Sequence, residues 1–370
     1  MAEAQQENLI GLTLAEMGDR LAALGQPAYR ARQLCAWIYP RGETRWEAMT
    51  DLPAQLRELL AASFRLSWPE TRRTLVSDDG TVKYLLGLDD GDTVEAVRLL
   101  YRYGPAFCLS TQVGCGMGCV FCASGAGGLA RNLTAGEILG QAQRLRADLG
   151  MTTGAAGAGG RGGATGPAGA VGPSFHVVLM GSGEPLANFD ATLRFIEILH
   201  APWGLAQSHR HVTLSTCGLV PQIRRLATLG LPVNLSISLH APNDRLRPSL
   251  MPGVASFPVR DVVAAADDYA KATGRRVTYE YSLFKGVNDS VALARELGRL
   301  LSGRLAHVNL IPGNPVPGTG LAGSSGETIR GFAVVLHETG VPVTVRRELG
   351  SDINAACGQL RGKARAGEKQ

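Results

Sequence analysis

The sequence predicts an α/β protein built on an open or partial (β/α) barrel, with a small helical region ahead of it and a β-meander between the two. Three observations predict this. From residue 107 onward, short apolar runs alternate with stretches of helical periodicity, the rhythm of a parallel sheet with right-handed crossovers. In the first 65 residues the apolar positions recur at intervals of three and four, as on helices. Between about residues 71 and 97 the pattern changes to alternation, with the turn pairs Asp79-Gly80 and Asp90-Gly91 between the runs.

The helical region divides into segments at 12–24, before a Gly25 stop, then 29–39 and 52–64. Leu14, Met17, Leu21 and Leu24 in the first, and Leu56, Leu59 and Leu60 in the third, would meet in a small bundle. Arg30, Arg32, Arg41 and Arg45 lie between the apolar positions, which fits either a solvated face or a nucleic-acid docking face. Meander strands follow at 73–76, 83–86 and 94–97. Barrel strands are expected at 107–111, 175–180, 211–216, 233–240, 276–284, 308–311 and 341–346, and helices at 134–149, 190–200, 220–229, 259–273, 290–301 and 328–338. The chain thus divides into a helical, RNA-binding accessory domain at 1–66, the meander at 67–107, the barrel at 108–350 and a C-terminal segment at 351–370. Residues 151–174 break the rhythm with nine Gly and six Ala in 24 residues. Such a stretch has too little apolar surface to offset its ordering entropy and reads as a flexible insertion.

Composition narrows the class of protein. With 45% hydrophobic residues in 370 the chain can bury a large core. No apolar run reaches the roughly 18 residues a membrane span needs, and the polar, acidic start is unlike a signal peptide. Seven cysteines, an odd number, suit a reducing compartment better than a disulfide framework. A cytoplasmic protein with no membrane association is expected. The net charge of +5 is too mild to establish nucleic-acid binding, although paired arginines such as Arg72-Arg73, Arg224-Arg225, Arg275-Arg276 and Arg346-Arg347 suit phosphates.

The chemistry is concentrated in Cys115-Gly-Met-Gly-Cys-Val-Phe-Cys122. Three thiolates, Cys115, Cys119 and Cys122, on one short loop can hold a metal centre but leave it one ligand short. A structural zinc site closes its tetrahedron with a fourth Cys or His, whereas a 4Fe-4S cluster on three cysteines leaves one iron open for a substrate. The C-x3-C-x2-C spacing resembles that of the radical S-adenosylmethionine (SAM) enzymes, in which SAM chelates the open iron. Polar residues follow the predicted strands: Gly181-Ser-Gly-Glu-Pro185, Ser215-Thr-Cys-Gly218, Ser238-Leu-His240 and Asn314. At successive strand ends they would line one barrel mouth beside the cluster, with Glu184 accepting from the SAM ammonium group.

Cys108-Leu-Ser-Thr-Gln-Val-Gly-Cys, Arg131-Asn-Leu, Met180-Gly-Ser-Gly-Glu-Pro, Ser238-Leu-His-Ala-Pro-Asn, Asn309-Leu-Ile-Pro and Asp352-Ile-Asn-Ala-Ala-Cys-Gly-Gln-Leu together resemble the RlmN/Cfr family, radical SAM methyltransferases that act on adenine in RNA. The resemblance implies a partial (β/α)6 radical SAM barrel, a 4Fe-4S cluster on Cys115, Cys119 and Cys122, and two SAM molecules per turnover. It implies that the first SAM methylates Cys357 and that the radical made from the second activates that methyl group, which then adds to the base. Cys108 would attack the Cys357 sulfur, releasing product with a transient disulfide, and Glu95 would be the proton acceptor. Gly183, Glu184, Ser215, Ser238, Leu239, His240 and Asn314 would contact SAM. The implied substrates are 23S ribosomal RNA and transfer RNA, methylated at adenine carbon 2. Gly-Glu-Pro rather than Gly-Glu-Ala at Glu184 favours this over the carbon 8 reaction of the Cfr branch. A low-potential donor such as flavodoxin and a monomeric enzyme are expected. The rival from another class is a non-catalytic zinc or iron-sulfur RNA-binding module. Cys35 and Cys217 match no family role and read as structural, and Asn354 stands where the family commonly has Asp.

Overall fold

The computed structural model describes residues 6–152, 174–314 and 319–360; most of the Gly/Ala-rich insertion and residues 361–370 lie outside the described residues. Strand β1 (Glu7–Asn8) precedes helices α1 (Leu14–Ala23), α2 (Tyr29–Ile38) and α3 (Ala54–Ser63). Thr13 and Glu16 form a reciprocal capping box that starts α1, and the chain turns at Gly25 with φ +69°. Strand β2 (Phe64–Arg65) pairs in parallel with β1, a contact with no signal in the sequence. Met17, Leu21, Leu56 and Leu60 are buried as expected. Leu59 is exposed, because on α3 the core-facing row runs through 56 and 60.

The meander consists of β3 (Glu70–Val76), β4 (Val82–Gly87) and β5 (Thr93–Tyr101), followed by β6 (Gly104–Cys108). Its third strand is longer than the alternation suggested, and the tight turn before Gly104 starts β6 three residues earlier than expected. Beyond it come the hairpin β7 (Gln112–Gly114) and β8 (Leu129–Asn132), then α4 (Ala135–Asp148). Six more strands alternate with helices: β9 (His176–Leu179), α5 (Phe189–His200), β10 (Val212–Thr216), α6 (Val220–Thr228), β11 (Asn234–Ser238), α7 (Arg247–Leu250), α8 (Val259–Thr273), β12 (Val277–Leu283), α9 (Val291–Leu301), β13 (Ala306–Pro312), α10 (Gly326–Glu338) and β14 (Val343–Val345).

Among the described residues these strands form one ten-stranded sheet in the order β14-β13-β12-β11-β10-β9-β6-β5-β4-β3. Neighbours from β6 through β9 to β14 are parallel, with six strand–helix crossovers, as expected of a partial (β/α)6 barrel. The meander continues the same sheet, β5 pairing antiparallel with β6. One hydrophobic core runs from Leu9 in the helical region to Val341 before β14. Among the described residues no helix is long and apolar enough to cross a membrane.

Candidate functional site

The carboxyl ends of the parallel strands open onto one cavity. Its volume is about 150 Å³. Cys115, Cys119 and Cys122 form one wall; Gly183, Glu184, Ser215, Ser238 and His240 line it from β9, β10 and β11; and Cys357 lines it from the C-terminal segment. A second lobe contains Cys108 and Asn314. Met180, Ile311, Arg346 and Cys357 belong to both lobes.

The three-thiol loop is clamped from both sides. Gly114, at the end of β7, has φ +76°, and a Cβ there would lie 2.0 Å from the Gly128 carbonyl oxygen; only glycine lets the β7–β8 hairpin close this tightly. The Cys115 N–H donates to that carbonyl at 2.9 Å, Val120 N–H to Leu250 at 3.1 Å, and Gly253 N–H to Met117 at 3.0 Å. Burial pushes the Cys115 thiol up to about 11 and Cys119 higher still, with repulsion from the neighbouring thiols adding to both. Three thiols side by side on one loop are a donor set that a cationic iron centre would satisfy. Fe–S clusters are held by Cys thiolates, and three on one cavity wall would leave one iron of a four-iron cluster without a protein ligand. Cys115, Cys119 and Cys122 thus fit the cluster that the spacing implies.

Glu184 is buried, and its carboxylate accepts N–H bonds from Leu186 at 2.9 Å and Cys217 at 2.7 Å. Burial raises its pKa against those hydrogen bonds. Gly183 has φ +107°, and a Cβ there would meet Gln112 at 2.6 Å. Leu239 lies in the core instead of the cavity wall, its N–H donating to Glu280 and its carbonyl accepting from Ala241. Cys35 is a core thiol that burial holds at about 12. Cys217, read as structural, is a cavity residue whose proton burial and Glu184 both hold on. Glu280, in the middle of β12, also reaches the cavity; Ser236 and Asn309 donate to it at 2.7 and 2.8 Å.

His240 leaves β11 with φ +55°. Its Nδ1 accepts the Ser282 N–H at 2.9 Å, and burial, with Arg247 second, lowers its pKa from 6.5 to about 3. A neutral ring in the folded state means that between those values the unfolded chain binds the extra proton. Apoprotein stability should therefore fall as pH drops from about 6.5 toward 3, at roughly 1.4 kcal/mol per unit. His240→Asn, which tolerates a left-handed backbone, should flatten that slope in urea unfolding at a series of pH values; an unchanged slope would remove His240 as its source.

The C-terminal segment is fastened across the barrel. Gly350 N–H donates to Asp79 at 2.8 Å, Ser77 Oγ to Asp352 at 2.6 Å, and Lys83 Nζ to the Asn354 carbonyl at 3.1 Å. At its far end Ala123 N–H donates to Gly358 at 2.7 Å and Ser124 Oγ to Leu360 at 2.7 Å. Asn354 has φ +52°, a conformation Asn and Asp share, so the departure from Asp preserves the turn. Asn314 Nδ2 donates to the Cys357 carbonyl at 3.0 Å. Ala355 and Leu360 pack in one cluster with Cys108, Val97 and Leu99. The structure thus brings Cys108 and Cys357 to one lobe, both as free thiols. Burial raises Cys108 to about 12, with the Cys357 charge adding to it. Cys357 is also raised by burial, but Arg346 opposes the shift. Arg346, expected on a phosphate-facing surface, is instead half-buried with Nη1 3.8 Å from Met180 Sδ, and the Cys357 charge is the main reason its own pKa is raised. Arg224 and Arg225 are likewise engaged, by Asp268 and Asp190.

Glu95 does not line either lobe. Its carboxylate lies 3.2 Å from Lys83 Nζ. On β5 it shares a face with Leu99 and Tyr101, which do line the second lobe, and it lies beyond Val97, the register partner of Cys108.

Residues 7–66 match the Ribosomal RNA large subunit methyltransferase N-terminal domain family, and residues 168–297 match the Radical SAM superfamily. The chain is 48% identical over 98% of its length to a protein of Symbiobacterium thermophilum named probable dual-specificity RNA methyltransferase RlmN, covering 93% of that protein. It is 49% identical over 96% of its length to a protein of the same name from Pelotomaculum thermopropionicum, covering 92% of it. A crystal structure of a radical SAM methyltransferase from Sphaerobacter thermophilus superposes with a TM-score of 0.85 at 45% identity, covering 96% of this chain and 99% of that one. With the three-thiol loop, the helical region and the barrel all matched at this level, the chain belongs to the RlmN family of radical SAM RNA methyltransferases.

Proposed function

We propose that the protein methylates carbon 2 of adenine in 23S ribosomal RNA and in transfer RNA, using Cys357 as methyl carrier. The observation that carries this reading is the meeting of two thiol sets in one cavity: Cys115, Cys119 and Cys122 on one wall, and Cys357 between them and Cys108. Cys115, Cys119 and Cys122 would hold the cluster, which when bound would supply the electron for reductive cleavage of SAM. Gly183, Glu184, Ser215, Ser238 and His240 hold SAM in the larger lobe, and Asn314 fixes the carrier through the Cys357 carbonyl. Two SAM molecules are consumed per turnover, one giving its methyl group to Cys357 and one giving the radical that takes hydrogen from that methyl group.

An adenine ring carbon between two nitrogens is too poor a nucleophile for direct transfer, which is why the carrier is needed. Arg346 favours ionised Cys357 for accepting the methyl group. Glu95 takes the ring proton from its place beyond Cys108 on the lobe-facing side of β5. Cys108 then attacks the Cys357 sulfur, forming a disulfide as the methylated base leaves. The base must be unstacked to enter the cavity, so loops are favoured targets. A low-potential donor such as flavodoxin would reduce the cluster, and the reaction belongs in the cytoplasm. Mass spectrometry of nucleosides from treated RNA should find 2-methyladenosine; 8-methyladenosine in its place would assign the carbon 8 reaction.

A further inference from the structure

Behind the cavity wall lies a cation that forms no ion pair among the described residues. Arg247 begins α7 and is 2% exposed. Its Nη2 donates to the Cys217 carbonyl and its Nη1 to the Phe257 carbonyl at 3.4 Å, while Nε, also buried, has no hydrogen-bond partner among the described residues. Asp244 does not neutralise it: no ion pair joins them among the described residues, and its Oδ1 accepts the Val259 N–H at 2.6 Å. A buried guanidinium held only by neutral carbonyls is costly. Its surroundings indicate what would offset that cost. Met117, Cys119 and Phe121 of the three-thiol loop pack in one apolar cluster with Cys217, Leu250, Met251 and Val254, and the loop is tied to Leu250 at the end of α7. Gly218 meets the guanidinium so closely that a Cβ there would lie 2.9 Å from Nη2. Burial pulls the Arg247 pKa below its ordinary value, while charge on Cys217, Cys119 and Asp244 raises it again.

We propose that Arg247 is the fixed counter-charge of the iron-sulfur cluster, a positioning residue that is not a ligand and that holds the cluster's reduction potential up. This rests on the cluster reading above. A four-iron cluster bearing three thiolates is anionic and gains a further negative charge on reduction. In a low-dielectric setting a permanent cation therefore stabilises the reduced form more than the oxidised one. Arginine suits the task because it does not lose its proton in proteins. The step changes no bonds: a one-electron donor, dithionite in the test, is oxidised, and the cluster is reduced by one electron.

The test is a redox titration of anaerobically reconstituted protein, read by electron paramagnetic resonance without SAM or RNA. Arg247→Met should shift the reduction equilibrium at least tenfold toward the oxidised form, about 59 mV for a one-electron couple, and Arg247→Lys should recover most of the shift. Thermal unfolding provides a second readout. The Arg247→Met apoprotein should be no less stable than the wild-type apoprotein, since the change removes an uncompensated charge, but it should gain less stability from the cluster. An unchanged midpoint, or an apoprotein destabilised as much as the loaded form, would make Arg247 a clamp on two carbonyls and overturn the proposal. A wild-type chain that takes up no cluster would overturn it together with the cluster reading. A shifted midpoint in a protein that methylates no RNA would support the counter-charge and refute only the substrate.

Discussion

Cys357→Ala is expected to reduce RNA methylation to background while reductive cleavage of SAM continues. The side chain lies between the three-thiol wall and the second lobe, and its removal leaves SAM-lining residues untouched. What is lost is the sulfur that carries carbon. Mass spectrometry of the intact protein should find no methylated cysteine, and 5′-deoxyadenosine should still accumulate. Cys108→Ala should behave differently. With Cys357 in place the methylene would still be delivered, but no thiol would attack the carrier sulfur, so a covalent protein–RNA adduct should build up on denaturing gels. A Cys108→Ala enzyme that turns over normally would remove that thiol from the release step. The two variants affect the same lobe, so their opposite products report roles rather than general damage.

Cys119→Ala is the other change with a complete effect. Cys119 is raised more strongly than Cys115 by burial and by its neighbours, and it packs into the apolar cluster behind the cavity. Without it the centre keeps two protein ligands. After anaerobic reconstitution, iron content and visible absorbance should fall to background, and no 5′-deoxyadenosine should form. Wild-type protein that carries zinc, or a cluster inert toward SAM, would instead favour a non-catalytic RNA-binding module.

The triad was legible because its three members are neighbours in the chain, so spacing alone implies a shared centre. Gly183, Glu184, Ser215, Ser238 and His240 were legible because strand periodicity predicts where strands end, and strand ends of a barrel face one mouth. Residues that reach the cavity by other routes left no such trace. Glu280 looks like one more position in an apolar strand, and only the neighbouring Ser236 and Asn309 reveal a polar network. Cys217 had no partner in sequence, because Glu184 and Cys119 approach it from other elements. Arg346 looked like half of a surface pair, yet β14 directs it inward toward Cys357 while Arg347 stays exposed. Local pattern identifies an element and its end; it does not state which side chain of a distant element lies opposite.

The fastening of residues 350–360 has a consequence for chimeras between relatives. The carrier segment is held by Ser77, Asp79 and Lys83 at the tip of the β3–β4 hairpin and by Ala123 and Ser124 beside the triad. These anchors lie more than two hundred residues before it in the chain. A graft that imports a foreign tail alone would bring the methyl-bearing sulfur without the sockets that aim it. The hairpin tip, the loop and the tail are therefore one exchangeable unit written in three places, and they should be swapped together.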